Sequence, residues 1–76
     1  MRTVSAILQE IHPEYHFTAS SDFIGDGLLD SFDMVLLVAA LEKNYSISIP
    51  GTDIVPENFQ NAQAIQALLK TFKVQL

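Results

Sequence analysis

The chain has 76 residues, 49% of them apolar, and sets four Lys plus Arg against nine Asp plus Glu for a net charge of -5. That length holds a single domain, residues 1–76, with little room for a deep catalytic cleft and a thin stability margin, since a domain so small hides only about 60% of the surface its unfolded chain exposes and so gains little from burial. Arg2, Lys43, Lys70 and Lys73 are too few and too scattered to form a basic face, which excludes ordinary nucleic-acid binding and points to partners with basic surfaces.

No cysteine is present, so disulfides, thiolate metal sites and a cysteine nucleophile are excluded, and any thiol chemistry has to come from an added group. That usage fits a reducing cytoplasm. The opening MRTVSAILQEIH lacks the continuous apolar run of a signal peptide, and no segment approaches the roughly 18 apolar residues of a membrane span. A cytoplasmic protein without membrane insertion is expected.

Val4, Ile7, Leu8 and Ile11 fall at i, i+3, i+4 and i+7, which predicts a helix from Thr3 to His12, closed by Pro13. From Pro13 to Asp30 the periodicity dissolves. Ser20-Ser21-Asp22, Gly25 and Gly27 are turn chemistry, while Phe17, Phe23, Ile24, Leu28 and Leu29 are apolar enough to pin a long loop to the core. Loops beyond about 12–15 residues are uncommon in compact domains and tend to be functional.

Ser31 to Tyr45 reads as a helix with Asp30 placed to cap it. Met34 to Leu41 is an unbroken apolar run, so this helix is apolar round most of its circumference and one core cannot cover every face. Ser46-Ile47-Ser48-Ile49 alternates like a short strand or an extended link before Pro50 and Gly51 break the chain. Thr52 to Val55 is expected to form one helical turn, capped by Gly51 or Thr52 and limited by Pro56. Ala62, Ile65, Leu68, Leu69 and Phe72 share one stripe of a last helix, capped by Asn61, with Lys70 and Lys73 at the negative end of its dipole. The fold class is all-α: a small up-and-down bundle of three long helices plus one short helix, with a long first loop.

Ser31 opens the central helix just after a glycine-containing loop. From spacing alone, Asp30, Ser31 and Asp33 read as ordinary capping residues. The same helix N-terminus would also accommodate a phosphodiester on Ser31 Oγ, because its free N–H groups and positive dipole end stabilise an anion. Asp22, Asp26, Asp30 and Asp33 form an acidic stretch without Lys or Arg. Against a calcium-loop template those carboxylates fail, since Ile24 occupies a ligand position and Asp33 stands where a longer Glu is needed. A Ser-His-Asp hydrolase would need His12 or His16 beside Ser31 together with an oxyanion hole. Each histidine instead reads as a partly exposed residue in a structurally neutral role, without a metal-ligating companion.

The string GDGLLDSFDMVLLVAALEKNYSISIP decides between these readings. It closely resembles the acyl carrier and peptidyl carrier proteins, with D-S-F at Asp30 to Phe32 where that family has D-S-L. The L-E-x-x-Y ending at Tyr45, the I-x-I-P link at Pro50 and the N-F-Q-N-A-x-x-I opening of the last helix, from Asn58, extend the resemblance from Phe23 to Phe72. It implies a protein that is not an enzyme and receives a 4'-phosphopantetheine arm from coenzyme A on Ser31. It also implies that the helix beginning at Ser31 is presented to partners. Asp30, Asp33 and Glu42 would supply charge there, and Phe32, Val35 and Ala39 apolar contact. Leu37, Val38, Leu41 and Tyr45 would face the bundle, where family members can shelter an acyl chain.

The partners implied are a phosphopantetheinyl transferase, an acyl- or aminoacyl-loading ligase and a downstream synthase or transferase, acting on a monomer. Family members serving fatty acid biosynthesis usually carry more carboxylates along this helix, whereas Leu36, Lys43 and Asn44 dilute the charge here. A specialised carrier is therefore expected, similar in its motif to D-alanine carrier proteins. The alternative is an unmodified helical interaction module, which explains the apolar excess equally well but not the placement of D-S-F.

Overall fold

The computed structural model describes residues 3–17 and 20–74. Among them the chain is all-helical, with α1 at Val4–Ile11, α2 at Ser31–Tyr45, α3 at Pro56–Phe59 and α4 at Ala62–Lys70, and a 3-10 turn at Gly51–Asp53. α1 and α2 have the expected bounds to within a residue.

Thr3 starts α1 because its hydroxyl accepts the otherwise orphaned N–H of Ala6 at 3.1 Å. The helix buries Val4, Ile7 and Leu8 and ends where the His12 N–H donates to the Leu8 carbonyl at 3.1 Å. Gln9 then reaches past the end, its Nε2 donating to the carbonyls of Pro13 and Tyr15 at 3.0 and 2.8 Å, so the chain turns back on α1 at once.

α2 turns Leu37, Val38, Leu41 and Tyr45 inward. It ends with Ser46 in the left-handed region at φ 55°, a conformation that wraps the Ser46 and Ile47 N–H groups back to the Glu42 carbonyl. Ser46 to Ile49 is an extended link and not a strand, because the Ile49 N–H donates to Glu42 Oε2 at 2.8 Å instead of to a neighbouring chain.

The expected turn at Thr52 to Val55 is displaced in both directions. The 3-10 turn lies one residue earlier, and the short helix begins at Pro56, where it was expected to stop. Proline suits the first helical position because its missing N–H would have no partner there, so the residue that bars a helix before it opens one after it. α3 carries the fully buried Phe59, so Asn58 and Phe59 belong to this helix and not to the opening of α4.

Asn61 separates α3 from α4 and does two jobs. Its Oδ1 accepts the Ala64 N–H at 2.7 Å to cap α4, and its Nδ2 donates to the Ser21 carbonyl of the long loop at 3.1 Å. α4 buries Ile65, Leu68 and Leu69 and stops at Lys70; Phe72 continues the stripe from a turn and is half-buried. α1 packs against α2 and α4, α3 packs against α4, and Phe17 and Phe23 from the loop close the core with rings edge to face at 5.1 Å. No polar side chain is buried among the described residues. The result is the small helical bundle that the sequence predicts, with a long first loop.

Candidate functional site at the start of the central helix

The loop before α2 is wound into successive turns. Asp22 Oδ1 accepts the Gly25 N–H at 2.9 Å, and the Asp22 carbonyl accepts the Asp26 N–H at 2.9 Å. A Cβ at position 25 would meet the Asp22 carboxylate that the Gly25 amide binds, so a larger residue there would have to displace that side chain from its turn. Gly27 takes a φ of +78°, which turns the chain so that the Leu28 and Leu29 N–H groups both donate to the Phe23 carbonyl, at 2.8 and 3.1 Å. Leu29 is thereby locked into the core beside Asp30.

Asp30 caps α2. Its Oδ1 accepts the Asp33 N–H at 2.8 Å while Asp33 Oδ2 accepts the Asp30 N–H at 3.2 Å, a reciprocal capping box that brackets Ser31. Ser31 itself is exposed, and its hydroxyl has no hydrogen-bond partner among the described residues. The Ser31 and Phe32 N–H groups are likewise without acceptors there, as the first turn of a helix requires. An exposed, uncommitted hydroxyl beside free N–H donors fits a phosphodiester, which needs room and positive potential.

Around this turn the carboxylates have separate engagements. Asp22 binds the Gly25 amide, Asp26 accepts the Ser20 hydroxyl at 2.6 Å, and Asp30 is the cap. Asp33 is half-buried and meets His12, whose Nε2 lies 2.9 Å from Asp33 Oδ2. That ring nitrogen makes no hydrogen bond of good geometry, so when His12 is protonated it is the attraction between opposite charges that joins the pair. His12 Nδ1 faces Glu14 Oε1 at 3.1 Å. The Asp33 contact raises His12 above its ordinary 6.5 against the opposing effect of burial, and Glu14 adds to the rise. Burial alone would push the Asp33 carboxyl up, but His12 and the Asp30 N–H hold it below its ordinary value. His12 is therefore not structurally neutral, contrary to the sequence reading, which took its place at the end of the first helix as the mark of a neutral residue.

The exposed face of α2 is apolar. Phe32 is 69% exposed, Val35 62% and Leu36 43%, and with exposed Ala39 they form a stripe at i, i+3, i+4 and i+7. Leu36 belongs to this surface although its sequence position gave only a diluted charge pattern. Glu42, the expected charged contact, is half-buried and committed to the Ile49 N–H. Leu37, Val38, Leu41 and Tyr45 are all closed into the core, where burial pushes the Tyr45 phenol up. The open groove formed by Asp53, Glu57, Asn58, Ala64, Ala67, Leu68 and Thr71 and the small cleft beside Phe23 are lined by none of these four.

Comparison with known proteins gives the family. The chain is 30% identical over 71 residues to aminoacyl carrier protein 1 of Bradyrhizobium diazoefficiens, covering 93% of this chain and 78% of that protein. The chain belongs to the acyl and aminoacyl carrier protein family. It therefore has a carrier role, a function that in this family is generally non-catalytic, relies on a phosphopantetheine group and is exercised with enzyme partners. No family model matches the chain, and no solved structure matches at comparable stringency. Among the described residues no helix is long and apolar enough to cross a membrane, and no group of His, Asp and Glu side chains is arranged to hold a metal ion.

Proposed function

We propose that this chain carries an acyl or aminoacyl group as a thioester on a 4'-phosphopantetheine arm attached to Ser31. The observation that carries the reading is Ser31 itself: an exposed serine with an uncommitted hydroxyl at the first position of a capped helix, inside a D-S-F motif. Attachment forms an Oγ–P bond as the phosphoanhydride of coenzyme A breaks, adenosine bisphosphate leaves, and the hydroxyl proton passes to a base of the transferase. The arm supplies the thiol that this cysteine-free chain lacks.

The remaining roles belong to the chain's own side chains. Asp30 and Asp33 hold the first turn of α2 in shape and contribute negative charge that attracts basic partner surfaces. Phe32, Val35 and Ala39, with Leu36 beside them, give apolar contact to the transferase, the loading ligase and a downstream synthase or transferase. Glu42 contributes charge at the far end of the same helix.

Leu37, Val38, Leu41 and Tyr45 could shelter a long acyl chain only by parting from one another, since all four are buried. A small cargo such as an amino acid avoids that cost, in keeping with the relative's name and with a specialised carrier acting in the cytoplasm. After arm attachment, incubation with ATP, an acyl- or aminoacyl-loading ligase and a panel of acids should yield a cargo that neutral hydroxylamine releases. A cargo resistant to hydroxylamine, or one loaded equally on Ser31→Ala, would contradict the reading.

A further inference from the structure

His12 and Ser31 sit on different elements, and a short chain of contacts joins them. Asp33 Oδ2 is shared: the Asp30 N–H donates to it at 3.2 Å and His12 Nε2 lies 2.9 Å away on another side. The other Asp33 link to the cap is its own N–H, donated to Asp30 Oδ1 at 2.8 Å. Ser31 lies between the two members of that box, so whatever fixes the Asp33 carboxylate also fixes the turn that presents the Ser31 hydroxyl.

We infer that His12 is a positioning residue for Ser31: held between Asp33 and Glu14, it fixes the first turn of α2 in the shape that a phosphopantetheinyl transferase meets. The inference rests on the carrier reading and adds a residue outside the D-S-F motif. His12 is itself well placed for the task. It terminates α1, its ring packs against Tyr15 at a centroid distance of 4.8 Å, and Glu14 holds Nδ1 at 3.1 Å.

Both ring nitrogens face carboxylates, and only the imidazolium carries the positive charge that attracts both. The groups facing it are Asp33 from α2, Glu14 and Tyr15 from the loop, and Asp30 through the shared oxygen. The clamp is therefore present while His12 is protonated and is lost as pH rises through its elevated pKa. On the alkaline side Asp33 stays ionised but has only the Asp30 N–H to fix its orientation.

The test is the initial rate of arm attachment from coenzyme A by one phosphopantetheinyl transferase, measured across pH for the wild type, H12Q, E14Q and D33N. Dividing the wild-type rate by the H12Q rate at each pH removes the transferase's own pH profile. The ratio should be about threefold on the acid side, the scale of a partly exposed ion pair, and fall to one in step with the His12 titration followed by NMR. E14Q removes one of the two anions, so its advantage over H12Q should vanish at lower pH. In the D33N background H12Q should have no further effect, since His12 acts through Asp33.

A ratio independent of pH, or an H12Q effect undiminished in D33N, overturns the inference and leaves the carrier reading standing. A folded wild type that gains no arm at any pH overturns both.

Discussion

The Phe23 N–H donates to the Gln60 carbonyl at 2.6 Å, tying the middle of the long loop to the junction between α3 and α4. Asn61 Nδ2 makes a second tie to Ser21 at 3.1 Å. Through them the loop that delivers Ser31 is anchored to the opposite end of the sequence, and the Phe23 ring completes the anchor in the core at 1% exposure.

Phe23→Ala should therefore be among the most damaging substitutions. Removing a buried phenyl ring typically costs about 3–5 kcal/mol, a large share of the roughly 5–15 kcal/mol that holds a domain together. Urea denaturation followed by circular dichroism should show a much lower midpoint or no folded baseline. A loss below about 1 kcal/mol would mean that the loop is held mainly by its hydrogen bonds.

Asp30→Ala removes the side chain that caps α2 and should cost about 1 kcal/mol, whereas Asp30→Asn, which can still accept the Asp33 N–H, should cost less. Comparison of the two denaturation midpoints separates the capping contribution from the charge.

Ser46 lies in the left-handed region at φ 55°, where a Cβ is unfavourable. Ser46→Gly should stabilise the fold by about 0.5 kcal/mol, the relief of strain being partly offset by the greater freedom of glycine in the unfolded chain. A destabilised variant would show that the serine side chain contributes more than its backbone costs.

His12 and Asp33 make stability depend on pH in a definite way. His12 is raised in the folded state, so its contribution is complete below its ordinary 6.5 and disappears as pH rises through the higher folded value. Asp33 is lowered, so its contribution is complete above its ordinary 3.8 and disappears as pH falls through the lower folded value. The pair stabilises most between those two ordinary values. His12→Gln should lose stability relative to the wild type within that window and approach it at alkaline pH; equal losses at all pH values would contradict the pairing.

Much of this was legible in the sequence because it is local. The Asp30 and Asp33 spacing, the Asn61 cap and the stripes of α1 and α4 depend on residues within a turn or two of one another. Pro56 was read as a barrier because proline disfavours the helical state of the residue before it, yet the same ring favours the first helical position, and spacing cannot rank the two effects. The His12 and Asp33 contact was invisible for a different reason: the residues are distant in sequence and meet only because α1 packs against α2. The Glu42 bond to the Ile49 N–H was likewise out of sight, because it joins the last turn of α2 to the end of the extended link and depends on how that link folds back.

Phe32→Ser replaces a ring that is 69% exposed and should change stability by no more than about 0.5 kcal/mol. It should nonetheless raise the KM of the transferase or the loading ligase for this carrier, because an exposed aromatic in an apolar stripe is a typical energetic anchor. Unchanged kinetics with every partner would remove the α2 stripe from the docking surface.

The most direct measurement is the intact mass of the wild type and of Ser31→Ala after incubation with coenzyme A and a broad-specificity phosphopantetheinyl transferase, with peptide mapping of the product. The account predicts that the wild type gains the mass of one arm, located on the peptide containing Ser31, and that the folded Ser31→Ala gains none. A folded wild type left unmodified by several transferases, or an arm found on another serine, would contradict it.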